Sequence, residues 1–136
     1  MGTWSHESFG NDDACDWVAQ LEECTDLSFV ESTLDALLAV GDEYLEAPEA
    51  CEAIAAAEVV ARLQGNFETH DANSKEVDAW VERVKLQPSS ILIGKAHRAL
   101  DRILTEPSEL MELWEESEES GAWQAAIKDL KVRIGA

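Results

Sequence analysis

No lysine or arginine occurs in the first 61 residues of this 136-residue chain, a stretch that carries 15 aspartates and glutamates; the first such base is Arg62. A field of that sign repels nucleic acid and anionic membrane and attracts basic partners at rates that fall with salt. Direct nucleic-acid and membrane binding are therefore not expected, and a basic protein is the partner class that the charge suggests. Over the whole chain 29 acidic residues face 10 basic ones, a formal net charge of −19. Solubility alone is the plainer account of that excess.

Cysteine is scarce as well. Cys15, Cys24 and Cys51 are odd in number and form no CxxC pair, which points away from a disulfide framework and towards a reducing compartment. No apolar run reaches transmembrane length, and the first residues lack the basic and hydrophobic regions of a signal peptide. A cytoplasmic location is the expectation. The 46% apolar content rules out reading the charge as disorder. One domain over 1–136 is expected, with an irregular segment over 1–11 anchored by Trp4 and Phe9.

Strand alternation is missing too, and helical periodicity takes its place. In "FGNDDACDW" and the residues after it, Ala14, Trp17, Val18 and Leu21 fall on one face of a 3.6-residue repeat. Asn11 or Asp12 suits the cap, and Asp13 and Asp16 fall in the first turns, where the helix dipole favours negative charge. "SFVE" reads as a capping box with Ser28 at N-cap and Glu31 at N3. The helix it opens is expected to end near Val40, with Gly41 as C-cap. Pro48 suits the first turn of a third helix, rich in alanine (Ala50, Ala53, Ala55, Ala56, Ala57 and Ala61), that stops at Gly65. After a loop over 65–73, Ser74 opens a helix with the face Val77, Trp80, Val81 and Val84. "QPSS" breaks it. A fifth helix follows with Ile91, Leu92, Ala96, Ala99, Leu100, Ile103 and Leu104 on its face, and a short sixth presents Leu110, Leu113 and Trp114. The last, from about Gly121, carries Trp123, Ile127, Leu130 and Ile134. The sum is an all-α, compact bundle of six or seven short helices.

Chemistry-bearing patterns are few. The aspartate cluster has no glycine turn and no loop to wrap an ion, so it does not read as a calcium loop. His6, His70 and His97 are scattered, and no Glu-x-x-His pair marks a di-metal bundle. Cys15 and Cys51 have no base nearby in sequence and read as small buried residues. Neither a phosphate-binding glycine loop nor a nucleophile elbow is present. No metal, cofactor or catalytic residue is assigned.

Glu58 interrupts "AIAAAEVVA", the most apolar stretch of the chain. A carboxylate there needs a partner or must be held neutral. Arg62, one turn on, is the obvious partner, with Arg98 or Arg102 as further candidates and Tyr44 and Glu46 as possible members of the same polar cluster. Seven glutamates lie between Glu106 and Glu119, with Leu110, Leu113 and Trp114 among them. Such a segment either engages a basic protein or is a solvated outer face.

"MGTWSHESFGNDDACDWVAQL" resembles the start of a bacterial family known only as a domain of unknown function, number 4259. The resemblance rests on Met1, Gly2, Trp4, Phe9, Asn11, Asp12, Ala14, Asp16 and Trp17, and on "YLEAPEACEAIAAAEVVA", which includes Glu58. Ser5, Glu7-Ser8 and Gly10 depart from the family pattern and bear on a local turn. The family implies no reaction and no cofactor; in size and acidity it is similar to immunity proteins that neutralise bacterial toxins. The expected function is non-enzymatic protein binding, as in an immunity-type inhibitor of a basic toxin. Its candidate surface is Asp13, Glu22, Glu23, Asp42, Glu43, Glu112, Glu115, Glu116, Glu118 and Glu119. The alternatives are a small-ligand protein or enzyme built around Glu58 with Tyr44 and Glu46, and a structural homo-oligomer.

Overall fold

The computed structural model describes residues 12–65, 75–116 and 120–135. Trp4, Phe9, Asn11, residues 66–73 of the expected loop, the expected helix-opening Ser74, Glu118 and Glu119 lie outside them, as does the side chain of Asp12. Among the described residues there are seven helices and no strand: α1 (Asp12–Leu21), α2 (Ser28–Leu38), α3 (Ala47–Leu63), α4 (Lys75–Val84), α5 (Ser90–Ile103), α6 (Glu109–Glu115) and α7 (Ser120–Ile134).

The sequence of α3 dictates the architecture. From Ala53 to Leu63 every side chain is buried. A helix apolar on all sides has no face to offer water and must be enclosed by others. Accordingly, α3 packs against each of the other six helices. Six of its seven alanines are fully buried, and with nothing beyond Cβ they let the surrounding helices approach closely. Contacts of α2 with α5, α5 with α7, and α6 with α7 join four of the surrounding helices to one another.

Tryptophans fasten the outer helices. Trp17 of α1 stacks on Phe29 of α2 at 5.1 Å between ring centres, and its indole N–H donates to Thr33 Oγ1 at 2.7 Å. Trp80 of α4 donates to the Cys24 carbonyl at 2.9 Å. Trp114 of α6 and Trp123 of α7 lie nearly parallel, 5.9 Å apart. Each buries a large ring and satisfies or stacks its polar edge, the usual requirement for such side chains in a core.

Four local expectations need correction. Ser28 is the first residue of α2, not its cap: its N–H and hydroxyl both donate to Asp26 Oδ1, at 3.0 and 2.7 Å, so the hydroxyl caps nothing and the upstream aspartate accepts the N–H that a capping box gives to Glu31. Glu31 turns away from the helix start to pair with Lys95 of α5. The same helix stops at Leu38, two residues before Val40, and the chain then turns through Gly41, whose φ of +62° is the left-handed region glycine tolerates. Ile91 and Leu113, placed on buried faces by periodicity, are 67% and 44% exposed. Cys15 is exposed, and only Cys51 is the buried small residue expected of both.

One long-range seam positions the surface described below. The α2–α3 and α5–α6 connectors run side by side: Leu45 N–H donates to Pro107 O at 3.1 Å and Glu109 N–H to Leu45 O at 2.8 Å. Arg102 clamps both connectors, donating to the carbonyls of Gly41, Glu43, Thr105 and Pro107 at 2.6–3.0 Å. Glu109 Oε1 accepts from the Ala47 N–H at 2.7 Å, so α6 supplies the N-terminal cap of α3. Buried Ser108 caps α6 in turn, accepting from Met111 N–H.

Candidate functional site

Two groupings bear on function. The first is the buried charge cluster around Glu58, which is 3% exposed. Arg62 donates from Nε to Glu58 Oε2 at 3.0 Å across one turn of α3, as the i,i+4 spacing foretold. The second partner is Arg133 of α7, whose Nη1 donates to Oε2 at 2.6 Å and Nη2 to Oε1 at 3.0 Å, a two-pronged grip. Arg62 also reaches Asp78 of α4 at 2.6 Å, and Arg133 reaches Asp129 at 2.7 Å. The cluster therefore links α3, α4 and α7. Burial pulls the Arg133 pKa down, but the hydrogen bonds and charges of Glu58 and Asp129 outweigh it and hold the guanidinium above the ordinary arginine range.

The expected membership of this cluster was half right. Glu58 and Arg62 belong to it. Tyr44 and Glu46 do not: both are exposed, and the Tyr44 hydroxyl donates to Glu112 Oε1 at 3.2 Å. Arg102 is engaged by the connector carbonyls, and Arg98 is exposed on α5. Glu58, gripped by two guanidiniums and closed from solvent, is a structural counter-charge. An acid–base role would require breaking three charge-assisted bonds.

The second grouping is acidic and lies where the first turns of α1, α3 and α6 approach one another. Burial first, then the charges of Asp13, Glu52 and Glu109, push the Cys51 thiol up to about 12. A thiol that stays protonated at neutral pH is not a nucleophile. Glu52 is raised by burial and by Asp13 and Glu49. Acids in these first turns offset the positive ends of three helix dipoles, which explains how so many are tolerated together. Asp13 is half-buried, and Asp16 is exposed in the next turn of α1. Among the described residues no group of three or more His, Cys, Asp or Glu side chains is arranged to hold a metal ion.

Tyr44 stands at the edge of this region, 48% exposed. Partial desolvation, then its bond to Glu112 and the charges of Glu112, Glu109 and Glu46, raise its pKa above the usual phenol value. Of the surface predicted from sequence, Asp42, Glu43, Glu112, Glu115 and Glu116 are exposed on the α2–α3 connector and α6, two segments that the Leu45–Ser108 seam joins. Glu22 and Glu23, also exposed, sit at the far end of α1, where Arg83 of α4 donates to the Glu22 carbonyl at 2.9 Å. The predicted surface is thus two regions, not one.

Sequence reasoning missed Arg133 and Asp129. Their only signal was a pair of charges one turn apart beside the apolar positions of α7, which does not say what they face. No helix among the described residues is long and apolar enough to cross a membrane. Comparison with curated proteins and with solved structures gives no match. A family model, Domain of unknown function (DUF4259), matches residues 2–126, which takes in α1 to α6 and the first half of α7. The chain belongs to the DUF4259 family.

Proposed function

We propose that this protein is a non-enzymatic binder of a basic protein, as an immunity-type inhibitor of a basic toxin would be, acting in the cytoplasm. The observation that carries this is a partition of charge. Six of the ten basic side chains are engaged by carboxylates or backbone carbonyls of the fold: Arg62, Arg83, Lys95, Arg102, Lys131 and Arg133. Asp42, Glu43 and Glu46 on the α2–α3 connector and Glu112, Glu115 and Glu116 along α6 are exposed instead. Most of the cations are taken up in holding the fold together, and the excess negative charge is left for solvent or for a partner. Such a surface steers a basic partner to the encounter, and affinity then comes from a desolvated apolar spot.

The sealed surroundings of Glu58 favour this over a ligand or catalytic site there. The test is capture of basic proteins from the native cell at low salt, followed by binding measurements with each purified candidate. The expected result is saturable, stoichiometric binding whose association rate falls steeply with ionic strength. If no basic protein binds stoichiometrically at low salt, the proposal fails.

A further inference from the structure

We propose that the surface shared by the α2–α3 connector and the outer side of α6 docks an arginine-bearing segment of a basic protein, its guanidinium on the Tyr44 ring and an adjoining apolar side chain against Leu113. This rests on the basic-partner proposal above and gives it a place and a chemistry.

Helical geometry sets the outer side of α6. Leu110, Met111 and Trp114 are buried, which leaves Glu109, Glu112, Leu113 and Glu116 within one arc of about 100° on the opposite side. Leu113 is the apolar member, 44% exposed, with the exposed Glu112 and Glu116 on its side of the helix, while half-buried Glu109 gives its carboxylate to the Ala47 N–H. Tyr44 reaches the same arc from the connector, its hydroxyl held by Glu112 at 3.2 Å. Arg102 and the Leu45–Ser108 seam fix the connector that carries it. Two exposed apolar side chains therefore sit on rigid supports, with carboxylates around them. Val132, also exposed, lies between Lys131 and Arg133 in the chain.

An aromatic face backed by carboxylates attracts cations, and it discriminates between them. Guanidinium is planar, weakly hydrated and stacks on a ring while its N–H fork reaches a carboxylate; ammonium is compact and strongly hydrated. Tyr44 offers the ring, and Glu46 and Glu112 offer the acceptors. An apolar neighbour on the partner gains by covering Leu113, and the carboxylates around the pair favour positive charge on the partner's flanks.

The experiment uses the full chain and two amphipathic peptides of identical sequence except that one carries arginine and the other lysine at every basic position. Tyrosine is isotope-labelled, so the ring signals come from Tyr44 alone, the single tyrosine of the chain. Affinity is measured at low and high salt by titration calorimetry. The expected result is salt-sensitive binding of both peptides, the arginine form tighter by about two- to fivefold, with Tyr44 ring signals shifting in step with saturation. Tyr44→Leu, at an exposed position, is expected to keep the fold and bring the two affinities together, and Leu113→Ser to weaken both peptides. Saturable binding that leaves the Tyr44 signals unmoved, or equal affinity for the two peptides, overturns this docking mode and leaves the basic-partner proposal standing. Failure of both peptides to bind at low salt overturns the two together.

Discussion

Arg133 grips both oxygens of the Glu58 carboxylate, at 2.6 and 3.0 Å, across 75 residues of chain. Arg62 holds one of the same oxygens from within α3. Removing the acid leaves two guanidiniums facing each other across a buried gap, with Asp78 on Arg62 and Asp129 on Arg133 as their remaining carboxylates. Glu58→Ala is expected to lower stability by about 3–5 kcal/mol. Arg133→Met is expected to cost less, about 2 kcal/mol, because Glu58 keeps Arg62. Urea denaturation of the two variants checks the order; equal losses would mean that Arg62 contributes nothing to holding Glu58.

Cys51 gives an alkaline dependence of known sign. Its thiol titrates near 9.0 when unfolded and is pushed up to about 12 in the fold, first by burial and then by Asp13, Glu52 and Glu109. Above the lower value the unfolded chain sheds a proton that the native protein keeps, so stability falls as pH rises. The loss runs at up to about 1.4 kcal/mol per pH unit between those two values. Denaturation across this range should show that slope in the native sequence and a shallower one in Cys51→Ala. Under native conditions a thiol reagent should modify exposed Cys15 first and Cys51 last.

Arg102 is not replaceable by lysine. Its guanidinium serves four carbonyls on two connectors, and an ammonium on a flexible stem cannot span them. Arg102→Lys is expected to destabilise the protein by about 1–3 kcal/mol. Hydrogen exchange should speed up first at the Leu45 and Glu109 amides, which close the seam beneath it.

Ala56 lies in the fully buried stretch of α3. Ala56→Leu is expected to cost about 1–3 kcal/mol, although leucine is a good helix former, because the surrounding helices must move apart. Ile91→Ser, at a position periodicity placed in the core, is expected to stay within about 0.5 kcal/mol of the native sequence. Thermal melts of the pair separate packing from local propensity.

These contrasts mark what the sequence could and could not disclose. Periodicity locates six of the seven described helices, because each buries a stripe; α3, buried all round, is marked instead by Pro48, its alanines and Gly65, and the i,i+4 spacing pairs Glu58 with Arg62. Arg133 was invisible because nothing local connects α7 to α3. Ser28 does not cap because its hydroxyl donates to Asp26, two residues upstream, whose short acidic side chain also takes the Ser28 N–H. Ile91 and Leu113 fell on the apolar period yet face out, because a period identifies a stripe but not how wide the neighbours cover it. Tyr44 was assigned to the wrong acid. Its connector is placed by Arg102 and the Leu45–Ser108 seam, contacts distant in sequence.

Because α3 touches all six other helices, no cut in the chain yields two self-sufficient pieces. A fragment ending before Ala47 has only α1 and α2 and nothing to enclose, and one beginning after Leu63 has four helices around an empty axis. The described helices should therefore melt as one cooperative unit, with coincident transitions by fluorescence and circular dichroism. Single substitutions of the outer acids should therefore cost little stability, while any enlarged side chain along the enclosed part of α3 should cost more, whichever neighbour it meets.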